Sequence, residues 1–204
     1  FLVGVMFNLT IGLPPQAPIL QINESKIILA ETKSSELMDA GFDIYVRQGD
    51  GGSDYEDLLT SNSFQKYPGD KTVTIEKGFR LDSNAVPYAP YLLAKDGIVL
   101  GSISFYGAED QDVSLEDSKV IQVRFNKDSI EAAKKHSITF KLDELDLTKR
   151  LDLPLVQKTF KKHLWSIPPS HTSDVTQLWY GLQWSSNSDS LFWNEYYSLI
   201  RLDE

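Results

Sequence analysis

Short runs of alternating apolar and polar residues, broken by clusters of Gly, Asn, Asp and Ser, recur along most of this chain. On a strand, residues two apart share a face, so this alternation predicts half-buried strands. It predicts them at 42–46, 72–75, 119–125 and 138–142. Residues 19–30 read as a strand, a turn at Asn23-Glu24 and a second strand from Lys26. The clearest hairpin joins 88–94 to 98–105 through Lys95-Asp96-Gly97, because Asp-Gly suits a tight turn. Two aromatic-rich strands follow at 175–184 and 190–202, around a turn at 185–189. Helical spacing replaces alternation in three places. Thr32 stands where it can cap a helix with Leu37 and Met38 on its apolar face and Gly41 as its stop. Residues 128–136 form a weakly patterned helix. Asp152 caps the third, with Pro154 in the first turn and Leu155, Val156, Phe160 and Leu164 at helical spacing. Ser53-x-x-Glu56 adds a capping box for a single turn.

Strands outnumber helices and the two do not alternate regularly, which argues against a parallel doubly wound sheet. The expected fold is α+β, mainly antiparallel sheet with a few short helices packed on one side. The helices at 32–41 and 152–164 also admit two similar repeats. The expected division is an apolar run with a Pro-rich spacer at 1–18, a first α+β module at 19–136 and a second helix-plus-sheet module at 137–204.

Composition narrows the functional classes. The chain has 204 residues, 41% of them hydrophobic, enough to bury a core without staples. Its net charge of -9 argues against nucleic acid, whose binding draws on clustered Lys and Arg. No cysteine is present, which excludes disulfides, thiol catalysis and cysteine metal sites. Residues 1–13 are apolar apart from Asn8 and Thr10, yet fewer than the about 20 that span a bilayer. Pro14-Pro15-Gln16-Ala17-Pro18 then forms a stiff spacer. That layout suggests the distal end of an anchor or signal segment, and so an extracytoplasmic, membrane-anchored or cell-surface domain tethered upstream of Pro14.

Two stretches carry a family likeness. Ile27-Ile28-Leu29-Ala30-Glu31-Thr32, a helix, and Ala40-Gly41-Phe42 resemble the opening of modules in Gram-positive membrane-anchored and lipoprotein-like surface proteins. Residues 155–200 contain a helix, Trp165-x-x-Pro168-Pro169, Leu178-Trp179-Tyr180 and a final aromatic strand. They are similar to β-lactamase-inhibitor-protein-like modules, which small outer-membrane-assembly lipoproteins share. Ile167 stands where those modules place a glycine before the Pro, and no lipobox cysteine is present. The resemblance implies helix pairs laid on a four-stranded antiparallel sheet. It implies binding or assembly outside the cytoplasm, with a protein or cell-envelope partner, and not catalysis.

The residues themselves offer little for chemistry. His136, His163 and His171 do not stand four apart as helical metal ligands do, although the last two could meet with Asp174 across the Pro-Pro loop. No Gly-x-Ser-x-Gly or phosphate loop occurs, and no cofactor or metal is expected. Two acidic clusters raise calcium: Asp50, Asp54, Glu56 and Asp57, then Glu109, Asp110, Asp112, Glu116 and Asp117. Neither follows the EF-hand pattern, and solvated acidic loops are the plainer account. Glu195, set among Trp193, Tyr196 and Tyr197, is a candidate acid for glycoside hydrolysis, which needs a second carboxylate. Alternation places Phe192, Asn194 and Tyr196 on one face, Trp193, Glu195 and Tyr197 on the other. A sheet covered on one side needs one apolar face, so the second aromatic face is a candidate partner surface. Trp179, Trp184, Trp193, Glu195 and Tyr197 are its candidate binding residues. The function expected is a non-catalytic, extracytoplasmic, membrane-tethered binding or assembly module. The alternatives are an inhibitor or immunity protein, whose acidity would suit capture of a basic enzyme, and a carbohydrate hydrolase.

Overall fold

The computed structural model describes residues 19–48, 63–68, 72–77, 91–108, 110–166, 178–187 and 193–202. They fall into two compact units. The larger holds 19–142 and 146–148; the smaller holds 143–145 and the described residues from 149 onward. The larger runs β1 (Leu20–Ile22), β2 (Ser25–Ile27), α1 (Ser34–Asp39), β3 (Asp43–Arg47), β4 (Phe64–Lys66), β5 (Thr74–Ile75), β6 (Tyr91–Lys95), β7 (Ile98–Tyr106), β8 (Val113–Ser114), β9 (Lys119–Arg124), α2 (Lys127–Lys135) and β10 (Phe140–Leu142). After β11 (Leu145–Asp146) the smaller continues with α3 (Leu153–Phe160), a 3-10 turn at Lys161–His163, β12 (Leu164–Ser166), β13 (Leu178–Asn187) and β14 (Trp193–Leu202).

The described strand pairs are antiparallel and the helices are short, so the fold is α+β. Strand order is β4-β3-β6-β7-β9 in the largest sheet, β11-β10-β1-β2 in the second, β12-β13-β14 in the third, and β5-β8 in a two-stranded ribbon. Leu92, Leu93 and Ala94 of the central strand β6 are all buried, so that strand is covered on both faces. One core joins the two larger sheets: Leu20, Ile22, Ile27 and Phe140 with Ile44, Leu93, Leu100, Ile103 and Val120. Leu37 of α1 and Ala133 of α2 complete it. β10 pairs with β1, Leu20 opposite Leu142, although the sequence reading opens a second module at 137.

Local chemistry explains most turns. Asp96 and Gly97, at φ 52° and 78°, make the turn of the β6–β7 hairpin. Gly41, at φ 81°, ends α1 in a Schellman motif, with Gly41 N–H donating to Met38 and Phe42 N–H to Leu37. The Lys95 ammonium donates to the Ala40 carbonyl at 2.9 Å and lies 4.3 Å from the centre of the Phe42 ring, which closes the same helix end. Asn126 caps α2 by accepting from Ser129 N–H, and Asp152 caps α3 by accepting from Leu155 N–H. The helix expected to reach Leu164 stops at Phe160, because Lys161 turns to φ 48°.

Thr32 does not cap α1. Its hydroxyl accepts from Ile28 N–H instead, and Lys33 occupies the cap position. The free N–H groups of the first turn find partners far along the chain: Ser34 donates to the Ser118 carbonyl and Ser35 to the Glu116 carbonyl.

The β6–β7 ladder shifts register between Leu93 and Ala94, leaving Leu100 as the extra residue of a bulge. Gly101 follows at φ 156°, where a Cβ would collide with the Arg124 carbonyl oxygen of β9. Gly101→Ala should therefore destabilise the larger unit by about 1–3 kcal/mol, read as a lower urea midpoint. An unchanged midpoint would show that β9 can move aside.

Candidate functional site

Two regions test the candidate residues: the acidic loop of the larger unit and the sheet of the smaller one. In the acidic loop, the carboxylates turn to separate protein donors. Asp112 accepts from Lys77 N–H at 2.9 Å. Asp117 accepts from the Ser114 hydroxyl at 3.1 Å and pairs with Lys33 at 3.3 Å. Glu116 accepts from the Tyr67 hydroxyl. Among the described residues no three His, Cys, Asp or Glu side chains are grouped to hold a metal ion. Asp50, Asp54, Glu56, Asp57 and Glu109 lie outside the described residues, as do His171 and Asp174. His136 is exposed at the end of α2.

The Tyr67–Glu116 pair shifts both groups. Desolvation, reinforced by the hydrogen bond to Glu116, pushes the Tyr67 phenol up to about 12. The same bond, helped by its own backbone N–H, holds the Glu116 carboxyl below the usual range against a smaller desolvation effect. Tyr67 is buried and Glu116 partly so, which makes the pair a fastening between β4 and the loop rather than a reactive site.

The smaller unit arranges the aromatic candidates through strand register. β13 pairs with β14 over ten residues, Leu178 opposite Leu202 and Asn187 opposite Trp193. Residues directly opposed lie on one face of an antiparallel sheet. One face therefore gathers Trp179 opposite Arg201, Gln183 opposite Tyr197, Ser185 opposite Glu195 and Asn187 opposite Trp193. β12 adds Trp165 opposite Gly181 to this face. The other face gathers Leu178, Leu182, Ile200 and Leu202, with Tyr180, Trp184 and Tyr196 and the polar Ser186, Asn194 and Ser198, whereas Leu199 joins the first face. Leu164 of β12, opposite Leu182, extends it.

Four of the five candidate residues, Trp179, Trp193, Glu195 and Tyr197, thus share one face. Trp184 is separated from them, because its even position puts it opposite Tyr196 on the aliphatic face. Two residues join the face that the candidate set omits. Arg201 continues the alternation that runs through Trp193, Glu195 and Tyr197. Trp165 joins only through the β12–β13 register, which no local pattern encodes. Glu195 is the only carboxylate in the described residues of these three strands, so the sheet supplies no second acid for glycoside hydrolysis.

Comparison with known proteins finds no match: no family model fits the chain, and neither a curated protein nor a solved structure is similar to it.

The titration of the fastening has a definite sign. Glu116 is depressed on folding, so it stabilises above its unfolded pKa near 4.3, and that stability disappears as pH falls through the folded value. Tyr67 is raised, so its contribution is whole below about pH 10 and is lost as pH rises through about 12. Tyr67→Phe should flatten the acid limb of the stability profile measured by urea melts from pH 2 to pH 7. It should also delete one tyrosinate absorbance step near pH 12. A profile identical to wild type would mean the pair contributes nothing to folding.

Proposed function

We propose that this chain is a non-catalytic binding or assembly module, extracytoplasmic and membrane-tethered, that meets a protein or cell-envelope component through the sheet of its smaller unit. The observation that carries this reading is the unequal composition of the two faces of β12-β13-β14. The face of Leu164, Leu178, Leu182, Ile200 and Leu202 carries most of the aliphatic side chains and no charged residue, with Ser166, Ser186, Asn194 and Ser198 as its polar positions. The face of Trp165, Trp179, Trp193 and Tyr197 mixes large aromatics with Gln183, Ser185, Asn187, Glu195 and Arg201. Trp, Tyr and Arg set among small polar groups are the composition of interface hot spots, where a flat apolar ring anchors and hydrogen-bonding neighbours orient. The tether rests on the sequence alone, on the apolar run before Pro14 and the Pro-rich spacer after it.

Two variants separate a partner face from a second core face. Trp184→Ala, on the aliphatic face, should cost about 3–5 kcal/mol, whereas Trp193→Ala should cost less than about 1 kcal/mol. A photo-crosslinking residue at position 179, on the central strand, should then trap a discrete adduct in intact cells that external protease can reach. Equal destabilisation by the two alanine variants, or no adduct at 179, sinks the reading.

A further inference from the structure

The faces of the smaller sheet concern a partner; its edge points to a second copy of this chain. β14 is ten residues long, and among the described residues no strand lies along its outer side. An edge of this length with no described neighbour offers a row of backbone donors and acceptors ready to pair. We propose that β14 pairs with β14 of a second copy, antiparallel about a two-fold axis at Ser198, so that the two sheets become continuous.

The register follows from the sequence of the strand. Antiparallel pairing keeps each face intact only when the axis passes through a residue, since a slip of one residue exchanges the faces. With the axis at Ser198, Asn194 opposes Leu202, Glu195 opposes Arg201, Tyr196 opposes Ile200, and Tyr197 opposes Leu199. Glu195 and Arg201 are the only charged residues of β14; they are of opposite sign and equidistant from Ser198. The two-fold therefore sets each against its complement twice. Moving the axis to Tyr197 sets Glu195 against Leu199 and Arg201 against Trp193. Moving it to Leu199 sets Arg201 against Tyr197 and leaves Glu195 opposite a position beyond the strand. Only the axis at Ser198 matches the charges, and opposite-charge pairs across strands are favourable where like charges are not. Such self-complementarity is what a symmetric dimer requires of one surface.

Charge exchange tests the register in the full chain. Within one copy Glu195 opposes Ser185 and Arg201 opposes Trp179, so a swap creates no like-charge pair inside the hairpin. Sedimentation equilibrium should give a concentration-dependent dimer for wild type. Glu195→Arg and Arg201→Glu should each weaken it roughly tenfold or more, by setting like charges opposite each other twice. The double variant Glu195→Arg with Arg201→Glu should restore the wild-type affinity. Circular dichroism and melting temperature, unchanged across the series, show that each variant folds. A wild type that stays monomeric throughout the micromolar range overturns the proposal. So does a dimer indifferent to the single swaps, or a folded double variant that fails to recover. Glu195 and Arg201 also lie on the aromatic face, but sedimentation is read on the purified chain with no partner present, so the dimer can fail while the adduct at position 179 forms, and the reverse.

Discussion

The backbone of Leu115 is the point on which the larger unit depends. Its side chain is fully buried, and its carbonyl accepts from the Ser34 hydroxyl, the Ser118 hydroxyl at 2.6 Å and the Ser118 N–H at 3.1 Å. Its own N–H donates to the Val73 carbonyl at 3.0 Å. Around it the start of α1 is tied in: Ser34 N–H reaches Ser118 and Ser35 N–H reaches Glu116. Ala30 and Thr32 bond to Val120 on either side, which extends the tie into β9. Buried polar groups cost free energy when unpaired, so this junction holds together as a set. Losing one member would leave several others without partners.

That constraint also explains why an acid-rich loop need not be a metal loop. Glu116 and Asp117 flank the buried turn, and their carboxylates go to Tyr67, Ser114 and Lys33 rather than to one centre. Each acts on a different neighbour and holds the rim of the junction against β4 and the end of β2's connection to α1. Asp112, Glu116 and Asp117 each tie this loop to a different neighbour. In the smaller unit the contrast is between two faces of one sheet, and there the distribution of aromatics, not of charge, carries the proposed function.

What could be read in the sequence was whatever chemistry acts within a few residues. Asp96-Gly97, Gly41, and Asp152 with Pro154 each fix a turn or a helix end by local φ preference or a nearby hydrogen bond. Thr32 failed as a cap because its competitor is the Ile28 N–H, and because the helix donors are met by carbonyls more than eighty residues away. No local pattern encodes that. The same division holds for the candidate site. Period-two alternation put Trp193, Glu195 and Tyr197 together without help. Placing Trp184 apart from them, and Trp165 with them, required the pairing of separate strands, which is a property of register rather than of spacing.

The pairing of β1 with β10 has a kinetic consequence. Leu20 waits for Leu142, and Ile22 for Phe140, so β1, paired early with β2, finds its second neighbour only after nearly all of that unit has been synthesised. The core residues Leu20, Ile22 and Ile27 are therefore shielded late. Closing so long a loop must precede the burial that repays it, which slows folding relative to a unit built from local hairpins. During that interval the β1–β2 hairpin and the β6–β7 hairpin can form on their own, while the surface that will join them stays open to solvent and to other nascent chains.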